Sequence, residues 1–190
     1  MNTSIKLITF FISIMLISCQ KEPLIESPEG LEKAKLIIND ECGEGSAFQE
    51  IDIMYNPQTG MIIEIDMIKD QESNILLHKN MTRGEWTSGQ ENRVDIDLKD
   101  FAFDWNDIDF SMITNLAEES IIRTGEEISK KDWKVGDMWV SGIQFEKPYS
   151  SGVDREKREL KLRILVNAAG ISNVFSSEYN QKGELLDFSY

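Results

Sequence analysis

The sequence predicts an α+β domain in which two helices pack on a mostly antiparallel sheet. Three observations carry this expectation. Two segments place apolar residues at 3-4 spacing between helix-capping residues, several short segments alternate apolar and polar with period two, and Gly, Pro and Asn punctuate them. With 190 residues, 41% of them apolar and 28% charged, the chain can bury one core.

The first helix starts at a capped end. Ser27 suits the N-cap, Pro28 the first helical position, Glu29 the positive end and Gly43 the stop. Leu31, Ala34, Ile38 and Cys42 share a stripe flanked by Lys35, so Cys42 is expected to be a buried, inert thiol. A hairpin follows. Ile51, Ile53 and Tyr55 alternate with Asp52 and Met54, and Ile63, Ile65 and Met67 alternate with Glu64 and Asp66, around the turn Asn56-Pro57-Gln58-Thr59-Gly60. A third strand is expected near Asn74–Lys79 and contains or adjoins His78, the one histidine, which reads as structural.

Arg83-Gly84-Glu85 forms a turn, and Val94-Asp95-Ile96-Asp97-Leu98 alternates as a half-buried strand does, with Phe101, Phe103 and Trp105 continuing an apolar face. The second helix begins after Asp109 or Ser111 and stops before Gly125, with Ile113, Leu116, Ala117, Ser120, Ile121 and Thr124 as its core stripe. The remainder reads as strands at 137–147, at the alternating Leu160, Leu162, Ile164 and Val166, at 172–179 and at 184–190, with a loop from Pro148 to Glu156. Tyr179-Asn180-x-x-Gly183 echoes Tyr55-Asn56-x-x-x-Gly60. The echo hints at two related helix-plus-sheet halves, although hairpin convergence explains it equally well.

Charge and composition narrow the function. A net charge of −14 disfavours nucleic acid and anionic bilayer surfaces, and one His with two Cys leaves too few ligands for structural zinc. No Gly-x-Ser-x-Gly and no phosphate-cradling loop occurs, so no catalytic residue, metal ligand or cofactor is assigned.

The N-terminus carries an address. Residues 1–18 hold one base, Lys6, and no acid, and residues 7–17 are apolar but for Thr9 and Ser13. That run is shorter than the ~20 residues needed to span a bilayer and fits an export signal. Leu16-Ile17-Ser18-Cys19 resembles the bacterial lipobox. The resemblance implies removal of a signal peptide, 1–18, and lipidation of Cys19. A lipidated N-terminus and tether of residues 19–27 would then precede a single domain, 28–190. The eight tether residues after Cys19 reach about 28 Å when extended. Only Lys6 leaves with the signal, so the mature chain is one unit more negative. Gln20-Lys21-Glu22-Pro23 resembles the export signals of Bacteroidota surface lipoproteins but has a single acid, so outer-membrane residence is expected and its face is left open. The terminal Tyr179, Asn180, Gly183, Glu184 and Leu185 resemble the closing hairpin of small Bacteroidota lipoproteins with no assigned activity, and more loosely that of PepSY-type exported domains.

Two surface features are candidates for recognition. Asp95 and Asp97, about 6.6 Å apart if on one strand, and Asp107 and Asp109 could meet a basic partner or a hard cation. Asp107, Asp109, Ser111 and Glu118 match calcium-loop positions 1, 3, 5 and 12. Met112, however, stands where that loop needs Gly, which favours helix-capping acids instead. Trp133 and Trp139 flank a turn and could form an aromatic platform for a glycan or protein. The expected role is a membrane-anchored binding or interaction module in the envelope, the alternative an envelope hydrolase with an unrecognised site.

Overall fold

The computed structural model describes residues 24–87, 89–95, 97–148 and 159–190. Two helices, α1 (Pro28–Cys42) and α2 (Phe110–Lys130), lie against a nine-stranded sheet. Its strands are β1 (Phe48–Asn56), β2 (Gly60–Asp70), β3 (Ile75–Thr82), β4 (Glu85–Thr87), β5 (Glu91–Arg93), β6 (Met138–Glu146), β7 (Lys161–Ala168), β8 (Phe175–Asn180) and β9 (Leu185–Ser189). The order is β4-β3-β2-β1-β6-β7-β8-β9, with β5 on the other half of β3, and every pairing is antiparallel. The α+β class expected from the sequence is therefore what the chain adopts. Each half is a helix followed by a meander, and the halves meet where β1 pairs with β6. No helix among the described residues is long and apolar enough to cross a membrane.

The α1 boundaries follow from its caps. Ser27 Oγ accepts from Gly30 N at 3.1 Å, Pro28 opens the helix, and Gly43, at φ 91°, ends it. Leu31, Ala34 and Ile38 are buried, whereas Cys42 is only half-buried, so its expected full burial is corrected: the helix ends there and the stripe has reached the edge of the core. In α2 the apolar stripe extends through Thr124 to Ile128, carrying the helix past Gly125 to Lys130. The expected stop at Gly125 is wrong because a mid-helix glycine costs about 1 kcal/mol, less than burying another turn contributes.

The core lies between the helices and one face of the sheet, where Ile51, Ile53, Ile63, Ile65, Ile143 and Ile164 are at most 1% exposed. α2 covers β6, β7 and β8 and touches α1. Val94, Asp95, Asp97 and Leu98 depart from the expected strand. Asp97 caps a 3₁₀ turn at Leu98–Phe101 by accepting from Lys99 N, and Asp104 caps a second, Trp105–Asp107. Aspartate oxygens that satisfy local amides favour turns over a ladder. Phe101, Phe103 and Trp105 are buried as expected, though only Phe103 makes a bridge, to Phe48. Leu98 packs on Ile68 and Leu76, which face away from the helices.

The echoed turns share one device: Asn56 Oδ1 accepts from Gln58 N at 2.8 Å and Asn180 Oδ1 from Lys182 N at 3.0 Å. The first joins β1 to β2 and the second β8 to β9, which are not equivalent positions in the two meanders. Common turn chemistry accounts for the echo. Most of the expected 148–156 loop lies outside the described residues, as does the Cys19 lipidation site.

Candidate functional site

A cleft of about 580 Å³ opens between α1 and the turns that end β1 and β3. Its floor is apolar, made by Ile37 of α1, Met61 of β2, Met81 of β3 and Trp86 of β4. Charged groups ring it: Lys33, Asp40 and Glu41 share the α1 face of Ile37, and Arg83 comes from the β3–β4 turn. Glu41 is held by Lys79 Nζ at 2.6 Å. Thr59, on the β1–β2 turn, has a shielded hydroxyl with no partner among the described residues. The volume is in the range of small-molecule sites, and the mix of apolar floor and polar rim is typical of them.

The β3–β4 turn is two residues long, with Arg83 at φ 56° and Gly84 at φ 77°. A two-residue loop with both φ positive matches the twist of its strands, and Asn-Gly is the pair that fits it best. Gly84 fits. Arg83 has a Cβ that opposes the left-handed conformation.

The sheet face turned away from the helices carries a second set of charges. Glu50 stands opposite Asp66 on β2 and Glu146 on β6, and Asp52 opposite Glu64 and Gln144. Desolvation, then the neighbouring carboxylates Asp52, Glu146 and Asp66, raises the Glu50 pKa to about 7. Desolvation likewise raises Asp52 to about 6, with Glu64 and Glu146 adding to it and a 2.9 Å hydrogen bond from Gln144 opposing it. Asp52 Oδ1 is shielded and has no described partner. On the rim, His78 Nδ1 lies 2.9 Å from Asp66 Oδ1, while Arg163 and Lys161 both hold Glu178, at 3.0 and 2.6 Å. His78 thus joins the outward face as a carboxylate's partner.

The aspartates singled out from the sequence are not brought together as one site. Asp97 caps the first 3₁₀ turn, Asp107 accepts from Asp104 N at 3.1 Å in a reciprocal capping pair, and Asp109 caps α2 by accepting from Ser111 and Met112 amides. Hydrogen bonds from Ser111 hold the Asp109 carboxyl below its usual range. Asp95 is exposed at a bend. Among the described residues no group of three or more His, Cys, Asp and Glu is placed to hold a metal ion.

Trp133 meets Phe175 and Tyr190 edge-on at 6.5 and 6.1 Å, and Lys131 Nζ lies over Trp133 and Tyr190 at 5.9 and 5.3 Å. Trp139 sits opposite Asn167 and alternates with the core-packed Met138 and Val140, so it faces the other side of the sheet. The two indoles do not form one platform. The cleft residues were missed in the sequence; the β3–β4 turn, read as Arg83-Gly84-Glu85, was the one local signal near it. No protein family, curated protein or solved structure matches the chain.

Proposed function

We propose that the chain is a lipid-anchored outer-membrane protein whose domain is a binding module, taking a small ligand into the cleft between α1 and the β3–β4 turn. The cleft carries this reading, because apolar floor and polar rim converge there from three separate parts of the chain, 33–41, 59–61 and 81–86. The resemblance of residues 16–19 to a lipobox supports the anchor, and a tether of eight residues would hold the cleft close to the membrane surface.

The test has two parts. An alkyne fatty acid fed to cells should label the wild type and leave Cys19→Ser unlabelled; equal labelling of both overturns the anchor. Purified domain exposed to envelope extract should retain a small molecule detectable by mass spectrometry after release. Ile37→Trp, which fills the floor, should abolish that retention, and retention undiminished by it overturns the cleft as the site.

A further inference from the structure

We infer that the cleft selects an anionic amphiphile, with Arg83 receiving a carboxylate or phosphate head and the floor taking the apolar body. This rests on the cleft being a binding site and specifies what it binds. The first observation is conformational. Arg83 holds a left-handed backbone in a turn where Asn would fit better, and strain of this kind is kept where a side chain is needed in place.

The second observation is electrostatic. Among the described residues no acid lies within ion-pair distance of the Arg83 guanidinium, although the chain carries 34 acidic residues against 20 basic ones. Across the cleft Glu41 is already neutralised by Lys79. Of the two acids that line the cleft this leaves Asp40, which makes no ion pair with Arg83. A guanidinium fork suits planar oxyanions, which it can engage through two parallel hydrogen bonds.

The third observation concerns the floor. Met61 and Met81 are 6% and 3% exposed and lie beside Trp86, giving an adaptable thioether surface against a flat indole. The Thr59 hydroxyl adds a shielded polar group at the same end of β2. A head at Arg83 would leave an alkyl or aryl body over these residues.

Calorimetric titration of the purified domain with octanoate, octyl phosphate, octanol and octyltrimethylammonium tests this, with inorganic phosphate as a head without a body. Octanoate or octyl phosphate should bind about tenfold tighter than octanol, and the two arms identify which head is preferred. Arg83→Asn should abolish that preference while melting no lower than wild type, since Asn suits the turn; the loss cannot then be ascribed to misfolding. Octanoate and octyl phosphate no tighter than octanol, tighter binding of the ammonium compound, or an unchanged preference in Arg83→Asn each overturn the anion inference. If octanol still binds and Ile37→Trp blocks it, the binding module survives that failure. If no octyl compound binds, the amphiphile inference falls, while the binding module is judged by retention from envelope extract.

Discussion

The Tyr179 hydroxyl lies 2.8 Å from Ser120 Oγ, and both side chains are fully buried. Ser120 Oγ donates to Leu116 O at 2.8 Å, so the tyrosine can donate to the serine and both hydroxyls are satisfied. The pair fixes β8 against α2 in the middle of an apolar core. Tyr179→Phe and Ser120→Ala should each destabilise by about 1 kcal/mol. In urea titrations the double variant should lose less than the sum, because the singles strand a partner that the double does not. Strict additivity would contradict the pairing.

Two glycines should respond oppositely to alanine. A Cβ at Gly30 would sit 2.0 Å from Leu24 O, a backbone atom that cannot yield. Gly30→Ala should cost more than about 2 kcal/mol. At Gly125 the added carbon would meet only the mobile end of Met138, at 3.3 Å, so Gly125→Ala should be neutral or stabilising through helix propensity. Thermal melts of the two variants check the contrast; equal effects would refute it.

Stability should fall as pH rises from about 4.5 to about 7. Glu50 and Asp52 have folded pKa values of about 7 and about 6, above their ordinary 4.5 and 3.8, so the folded chain holds protons that the unfolded chain has released. Their contribution is complete below the ordinary values and is lost through the raised ones. Glu178 acts in the other direction: its pKa is lowered by Lys161 and Arg163 against desolvation, so its contribution is present above its ordinary value and lost as pH falls. A maximum near pH 5 follows. Glu50→Gln should flatten the alkaline limb and stabilise at pH 8 by about 1 kcal/mol, allowing for solvent screening. Melting temperatures that rise from pH 5 to 8 would contradict this.

Cys42 should react slowly with a thiol reagent in buffer and several-fold faster in urea. Burial raises its pKa, Lys79 works against this and Glu41 adds to it, and the thiol is half-exposed at the end of α1. Complete protection in buffer or no acceleration in urea would both be inconsistent with that position.

Most elements were legible because each rests on local rules: the Ser27 cap, the alternation of Ile51 and Ile53, the Asn56 and Asn180 turns. The failures have physical causes. Val94–Leu98 alternates perfectly in sequence, yet Asp97 captures Lys99 N and bends the chain. The cleft was not legible because Lys33, Thr59 and Arg83 are roughly twenty-five residues apart and meet only through the β1-β2-β3 pairing and the placement of α1. Alternation did put Asp52, Glu64 and Asp66 on one face, but that Glu50 lies opposite both Asp66 and Glu146 required register.

The β1–β6 seam has a consequence for how the chain assembles. Within each half the strands are sequence neighbours, so either meander can form early from nearby contacts, whereas the Asp52–Gln144 bond joins residues 92 apart. Closing the seam is then the slow, entropically costly event, and it brings Glu50 directly opposite Glu146. Like charges at that point oppose the docking of two finished halves, and a proton on Glu50 relieves this, making the rate of folding, and the reunion of separately made halves, faster in mild acid than in alkali.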